Sequence, residues 1–142
     1  MSFENPSRER IKELLQQTRT IAVVGLSDKP DRTSYMVSQA MQQKGYRIIP
    51  VNPGVKTVLG ETSYPSLADI DEPVDIVNVF RRSEETVSVA QAVLAMKHKP
   101  KAFWLQQGIF NEEAAAVVEA EGIEAIMDRC IKVEDSILQP HK

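Results

Sequence analysis

The sequence predicts an α/β protein: a five-stranded parallel sheet, doubly wound with helices on both faces. Five short apolar stretches rich in β-branched and aromatic residues recur along the chain, with lengths that suit strands better than helices. Amphipathic segments with helix-capping residues lie between them. The stretches are apolar on both alternating faces, as strands covered on both sides must be.

The first element is helical. Ile11, Leu14 and Leu15 form one face of a helix over 7–17, placed before the sheet and packing on its edge or on one face. The strands follow as TIAVVG (20–25), YRIIPV (46–51), DIVNVF (75–80), KAFWLQ (101–106) and IEAIMD (123–128). Between the first two, Ser34 or Thr33 can cap a helix carrying Val37, Ala40 and Met41 inward, and Gly45 stands where a left-handed end residue is wanted. The next crossover is weaker, with SLADI (66–70) giving at most a short helix. Ser83 opens a clearer helix, with Glu84 and Glu85 in its positive first turn and Val87, Ala90, Val93 and Leu94 inward. Asn111 repeats the pattern before Glu112 and Glu113, and Gly122 ends it. Right-handed crossovers then give the strand order 3-2-1-4-5, and the ligand crevice is expected at the carboxyl ends of the first and fourth strands.

At 142 residues the chain reads as a single domain, 1–142, with enough core to fold without staples. Its net charge of -3 argues against a nucleic-acid partner, although a local cluster of cations can still hold a phosphorylated metabolite. The one cysteine, Cys130, cannot form an internal disulfide. No secretory signal or long apolar run is present, so the expectation is a cytoplasmic protein without a membrane partner.

In such a sheet the residues after each strand decide function. The first strand runs into VVGLSDKPDRTSY (23–35), where only Gly25 fits the G-x-G-x-x-G pattern of dinucleotide loops; Ser27 and Pro30 stand at the other two places. A helix start there offers free amides, and Lys29 and Arg32 add countercharge for a phosphate; the competing reading is a solvated loop. After the second strand, PVNPGVK (50–56) lacks the carboxylate that an NAD protein uses on its ribose. Asn52, Pro53 and Lys56 suit a ribose carrying extra phosphate instead, and NADP stays open as a ligand beside the simpler reading of a stiff turn. The third strand ends in VFRRSEE, with Phe80 available to a flat ring and Arg81 and Arg82 suited to phosphate and to a neighbouring carboxylate. In LQQGIFN, Gln106, Gln107 and Gly108 can offer amides to a ligand tail, or the segment is a plain capped loop. Cys130, in MDRC beside Arg129, is either an inert thiol or a reachable one.

Taken together, VVGLS with Arg32, PVNPGVKTVLG, VNVFRR, WLQQGIFN and MDRC resemble the small stand-alone CoA-binding proteins, whose domain is similar to the nucleotide-binding half of the succinyl-CoA synthetase alpha subunit. The resemblance spans about residues 8–138. It implies a Rossmann-like domain holding coenzyme A, with the nucleotide near Gly25, Ser27, Arg32, Asn52, Pro53 and Lys56. It further implies that diphosphate and adenine run past Val79, Phe80 and Arg81, with the pantetheine arm near Gln107 and Gly108. The ribose 3′-phosphate and diphosphate of CoA account for cations where an NAD protein carries an acid.

Synthetases of that type pass phosphate through a histidine outside the CoA domain, whereas this chain has only His98 and His141. Paired carboxylates, a nucleophile elbow, a Walker loop and a metal-ligand cluster are all absent from the sequence, so the expectation is no catalytic residue and no metal. The leading reading is a non-catalytic binding, carrier or sensor module for CoA or an acyl-CoA. The alternatives are an NADP-binding oxidoreductase-type domain and a thiol protein forming a mixed disulfide between Cys130 and CoA.

Overall fold

The computed structural model describes residues 3–140. Helix α1 (Arg8–Gln17) opens the chain, capped by Ser7, whose hydroxyl accepts a hydrogen bond from the Arg10 amide. Then come β1 (Thr20–Val24), α2 (Thr33–Gln43), β2 (Arg47–Val51) and a two-stranded hairpin of β3 (Thr57–Val58) and β4 (Glu61–Thr62). The rest is β5 (Ile76–Val79), α3 (Thr86–Leu94), β6 (Ala102–Leu105), α4 (Glu112–Glu119), β7 (Glu124–Ile126) and α5 (Ile131–Leu138).

Five strands pair in parallel in the order β2-β1-β5-β6-β7. The doubly wound class and the extra first helix are therefore as the sequence predicts, but the third long strand takes a different place. It lies beside β1, so counting long strands alone the order is 2-1-3-4-5, and the crevice falls between β1 and β5. The place outside β2 goes to a stub: Tyr64 bridges Val51, its amide donating to the Pro50 carbonyl and its carbonyl accepting from the Asn52 amide, both at 2.9 Å. A segment that pairs with β2 at one residue leaves the next full strand free to return to the other side of β1. Only a 3-10 turn, Leu67–Asp69, forms where a short helix was expected.

Alternation along the strands divides the core. Ala22, Val24, Val77, Val79, Phe103 and Leu105 face α3 and α4, while Ile21, Val23, Ile48, Ile76, Trp104 and Ile126 face α1, α2 and α5. Phe103 and Trp104 are wholly buried, each stabilising the fold by roughly 1.5–3 kcal/mol or more through apolar area removed from water. The Trp104 indole donates to the Arg129 carbonyl at 2.9 Å and pins the segment after β7. At that segment the Asn5 side-chain amide donates to the Met127 carbonyl (2.9 Å) and accepts from the Met127 amide (2.8 Å), filling two backbone positions beyond the last strand.

Helix α5 fastens the same face. Its Asp135 is wholly buried and accepts from the Tyr46 hydroxyl (2.6 Å) and the Gln139 amide (3.0 Å), while the Lys44 ammonium pairs with its second oxygen. The sequence-based expectations include no helix after the fifth strand, although Ile131, Glu134, Asp135 and Leu138 recur one or two turns apart. No helix among the described residues is long and apolar enough to cross a membrane.

Candidate functional site: the carboxyl edge of the sheet

Gly25 sits at the crevice with φ +85°, and a Cβ there would stand well inside contact distance of the Phe80 carbonyl oxygen and 3.3 Å from Arg81 Cδ. The ends of β1, β2 and β5 are thus held close: the Gly25 amide donates to the Val51 carbonyl and the Phe80 amide to the Val24 carbonyl, both at 2.9 Å. Glycine serves backbone approach here even though the rest of the dinucleotide motif is missing.

An open cleft of about 420 Å³ lies over this point, lined by Gly25, Ser27, Lys29, Arg32, Thr33 and Phe80. Two of its side chains are cationic and none is a carboxylate. Arg32, not Thr33 or Ser34, is the N-cap of α2, and it makes no side-chain cap hydrogen bond. Ser34 lies inside the first turn and accepts from the Ser27 amide at 3.0 Å, so it shapes the loop while the helix end stays without a side-chain cap. Uncapped first-turn amides carry a partial positive charge and point at whatever fills the cleft.

Neighbouring clefts continue along the edge. One, of about 260 Å³, is mainly apolar, with Val51, Pro53, Leu67, Arg81 and Val89 in its wall. Another, of about 310 Å³, is lined by Asn52, Pro53, Lys56 and Ser63. The structure therefore brings Gly25, Ser27, Lys29, Arg32, Phe80, Arg81, Pro53 and Lys56 onto one rim. Among the described residues, no ion pair engages Lys29, Arg32 or Lys56. Arg81 differs: it pairs with Glu85 at 2.8 Å, and Arg82 meets the other oxygen of that carboxylate at 3.2 Å. These contacts hold the Glu85 carboxyl below its usual range, Arg81 first and Arg82 second.

Several expected site residues do other work. Val79 is wholly buried and lends no side-chain surface to the crevice. Asn52 is a clamp, its Nδ2 donating to the Leu26 carbonyl and its Oδ1 accepting from the Gly54 amide, both at 3.0 Å. The Gly108 amide donates to Asp128 at 2.7 Å, and Gln106 is buried with its oxygen accepting from Ile131 at 3.2 Å. Of the three expected residues in that loop, Gln106, Gln107 and Gly108, Gln107 keeps an exposed side chain. Cys130 is not at the crevice: β7 is the outermost strand, and the half-buried thiol lines a separate cleft with Gln107 and Arg129. His98 lies between α3 and β6, at the amino end of the sheet, and His141 falls outside the described residues.

The pattern of the family described as "CoA binding domain" matches residues 19–136, which takes in the whole sheet and every residue of this rim. The chain belongs to that family. The chain is 54% identical over 135 residues to YneT of Bacillus subtilis (strain 168), described as uncharacterized, covering 95% of this chain and 98% of that one. The structure of cell-free ID.343 from Thermus thermophilus is 36% identical, with a TM-score of 0.88 over 94% of this chain and 99% of that one. Prb, the PH1109 protein redesigned for binding, is 29% identical, with a TM-score of 0.91 over 99% and 98%. These likenesses extend along nearly the full length of each chain.

Proposed function

We propose that the chain binds coenzyme A, free or acylated, as a single non-catalytic domain that carries or senses it. The observation that supports this best is the group of cations without carboxylate partners, Lys29, Arg32 and Lys56, on one rim with the uncapped start of α2. The diphosphate sits over Gly25 and Ser27, where the helix end and two cations offset its charge. Adenine lies against Pro53 in the apolar cleft, between the Phe80–Arg81 turn and Val89. That position brings the ribose 3′-phosphate to Lys56, where an NAD protein would need an acid. The arm then leaves along the ends of β5 and β6 toward Gln107.

The test is titration calorimetry with CoA, dephospho-CoA and NADP. CoA should bind more tightly than dephospho-CoA, and Lys56→Ala should cost about 1.5–3 kcal/mol for CoA and little for dephospho-CoA, as one charge-assisted phosphate contact demands. Equal or absent heats for CoA and dephospho-CoA overturn the reading, and tighter binding of NADP replaces it with the oxidoreductase-type one.

Glu85 adds a second expectation. An incoming phosphate has to compete with that carboxylate for Arg81, so Glu85→Gln should tighten CoA binding about twofold, the scale of an exposed ion pair. Competition by added salt should shrink the difference.

A further inference from the structure

The cleft around Cys130 is chemically unlike the one over Gly25. It encloses about 360 Å³, and Arg8 and Arg129 in its wall are matched by Asp128 and Glu134. A site with balanced charge favours a neutral, hydrogen-bonding guest over a phosphate. Glu134 is the informative member: its side chain is only 4% exposed, one oxygen faces Arg8 at 3.5 Å, and the other, Oε1, has no hydrogen-bond partner. A buried carboxylate oxygen in a cleft wall calls for a donor. Cys130 stands four residues earlier, as the N-cap of α5, its carbonyl accepting from the Glu134 amide at 3.0 Å.

Resting on the CoA reading above, we infer that this cleft receives the thiol end of the pantetheine arm and that Cys130 captures it as a mixed disulfide. Length supports the placement. From β1 to β7 the edge crosses three strand spacings, about 14 Å in all. The arm has about twelve bonds from its phosphate ester oxygen to sulfur and, at the rise of an extended peptide, also spans about 14 Å. Gln107, exposed on the way, lines the same cleft. The cysteamine N–H, two carbons from the sulfur, donates to the Glu134 carboxylate, which leaves the sulfur within reach of Cys130, one helical turn away.

The reaction is thiol–disulfide exchange with a disulfide of CoA. Cys130 loses its proton to solvent, and its sulfur attacks the CoA sulfur of CoA–S–S–R. The old S–S bond breaks as the new one forms, and R–S⁻ leaves with the electron pair and takes up a proton. The incoming disulfide is the oxidant, so no other redox partner is required.

Intact-mass kinetics on the full chain with CoA disulfide, glutathione disulfide and hydroxyethyl disulfide test the inference. One reducible CoA adduct should form, at least about tenfold faster than the glutathione adduct if the site binds the arm, and none on Cys130→Ser. Glu134→Gln should slow the CoA adduct about tenfold, as loss of a charge-assisted acceptor would, with the hydroxyethyl adduct unchanged. Should Glu134→Gln fail to fold, the comparison of CoA and glutathione on the unaltered chain decides. No CoA adduct while calorimetry still records CoA binding overturns this inference and leaves the CoA reading intact; equal CoA and glutathione rates reduce Cys130 to an accessible thiol and overturn it as well. Loss of both adduct and binding overturns both.

Discussion

Gly25→Ala is expected to lower the free energy of unfolding by about 3 kcal/mol and to weaken CoA binding with it. A left-handed backbone costs a residue with a Cβ about 1–2 kcal/mol. The new methyl group would also force the Phe80 carbonyl away, straining the Phe80 amide bond to Val24, a loss of about another 1–2 kcal/mol. Urea unfolding measures the total. Gly122→Ala is the control, because Gly122 has φ +79° but nothing within 4 Å of a built Cβ, so only the conformational cost applies. Equal losses for the two variants would remove close strand approach as the reason for glycine at 25.

The second large effect is at the buried carboxylate of α5. Asp135→Ala should cost about 3 kcal/mol, the low end for breaking a buried charged network, because Lys44 keeps partial access to water and its bond to the Gln139 carbonyl at 3.0 Å. Asp135→Asn, which keeps an acceptor for Tyr46, should cost less. The Tyr46 hydroxyl is pushed well above its ordinary value, by burial first and by its hydrogen bond to Asp135 next. A folded-state value above the unfolded one contributes stability below the ordinary tyrosine range and loses it as pH rises past about 10. Stability should therefore fall on the alkaline side for the unaltered chain and less steeply for Tyr46→Phe, as urea midpoints across that range would report.

Local pattern carried much of this into view. Short apolar runs rich in β-branched and aromatic residues located all five strands, Asn111 does cap α4 by accepting from the Ala114 amide at 3.1 Å, and Gly45 does take a left-handed conformation. Cations after the strands marked the rim. What escaped was long-range. Whether DIVNVF pairs with β1 or β2 depends on the Tyr64 bridge, which no periodicity announces. Asn52 and Gly108 looked available because their partners, Leu26 and Asp128, lie 26 and 20 residues away. Val79 alternates inward, which β5 read by itself shows, but its place at a strand end suggested ligand contact. The order 3-2-1-4-5 would put the crevice beside the fourth strand, next to the strand that leads to Cys130; the observed order puts it between β1 and β5, with β6 separating it from β7.

Both borders of the sheet end in improvised partners: Tyr64 against β2, and the Asn5 amide against Met127 just past β7. Exposed strand borders invite other chains to add on and grow as fibres. With its lateral hydrogen-bonding positions already taken at these two points, the protein resists being extended sideways at the carboxyl end of its sheet, and removing Asn5 would reopen one of them.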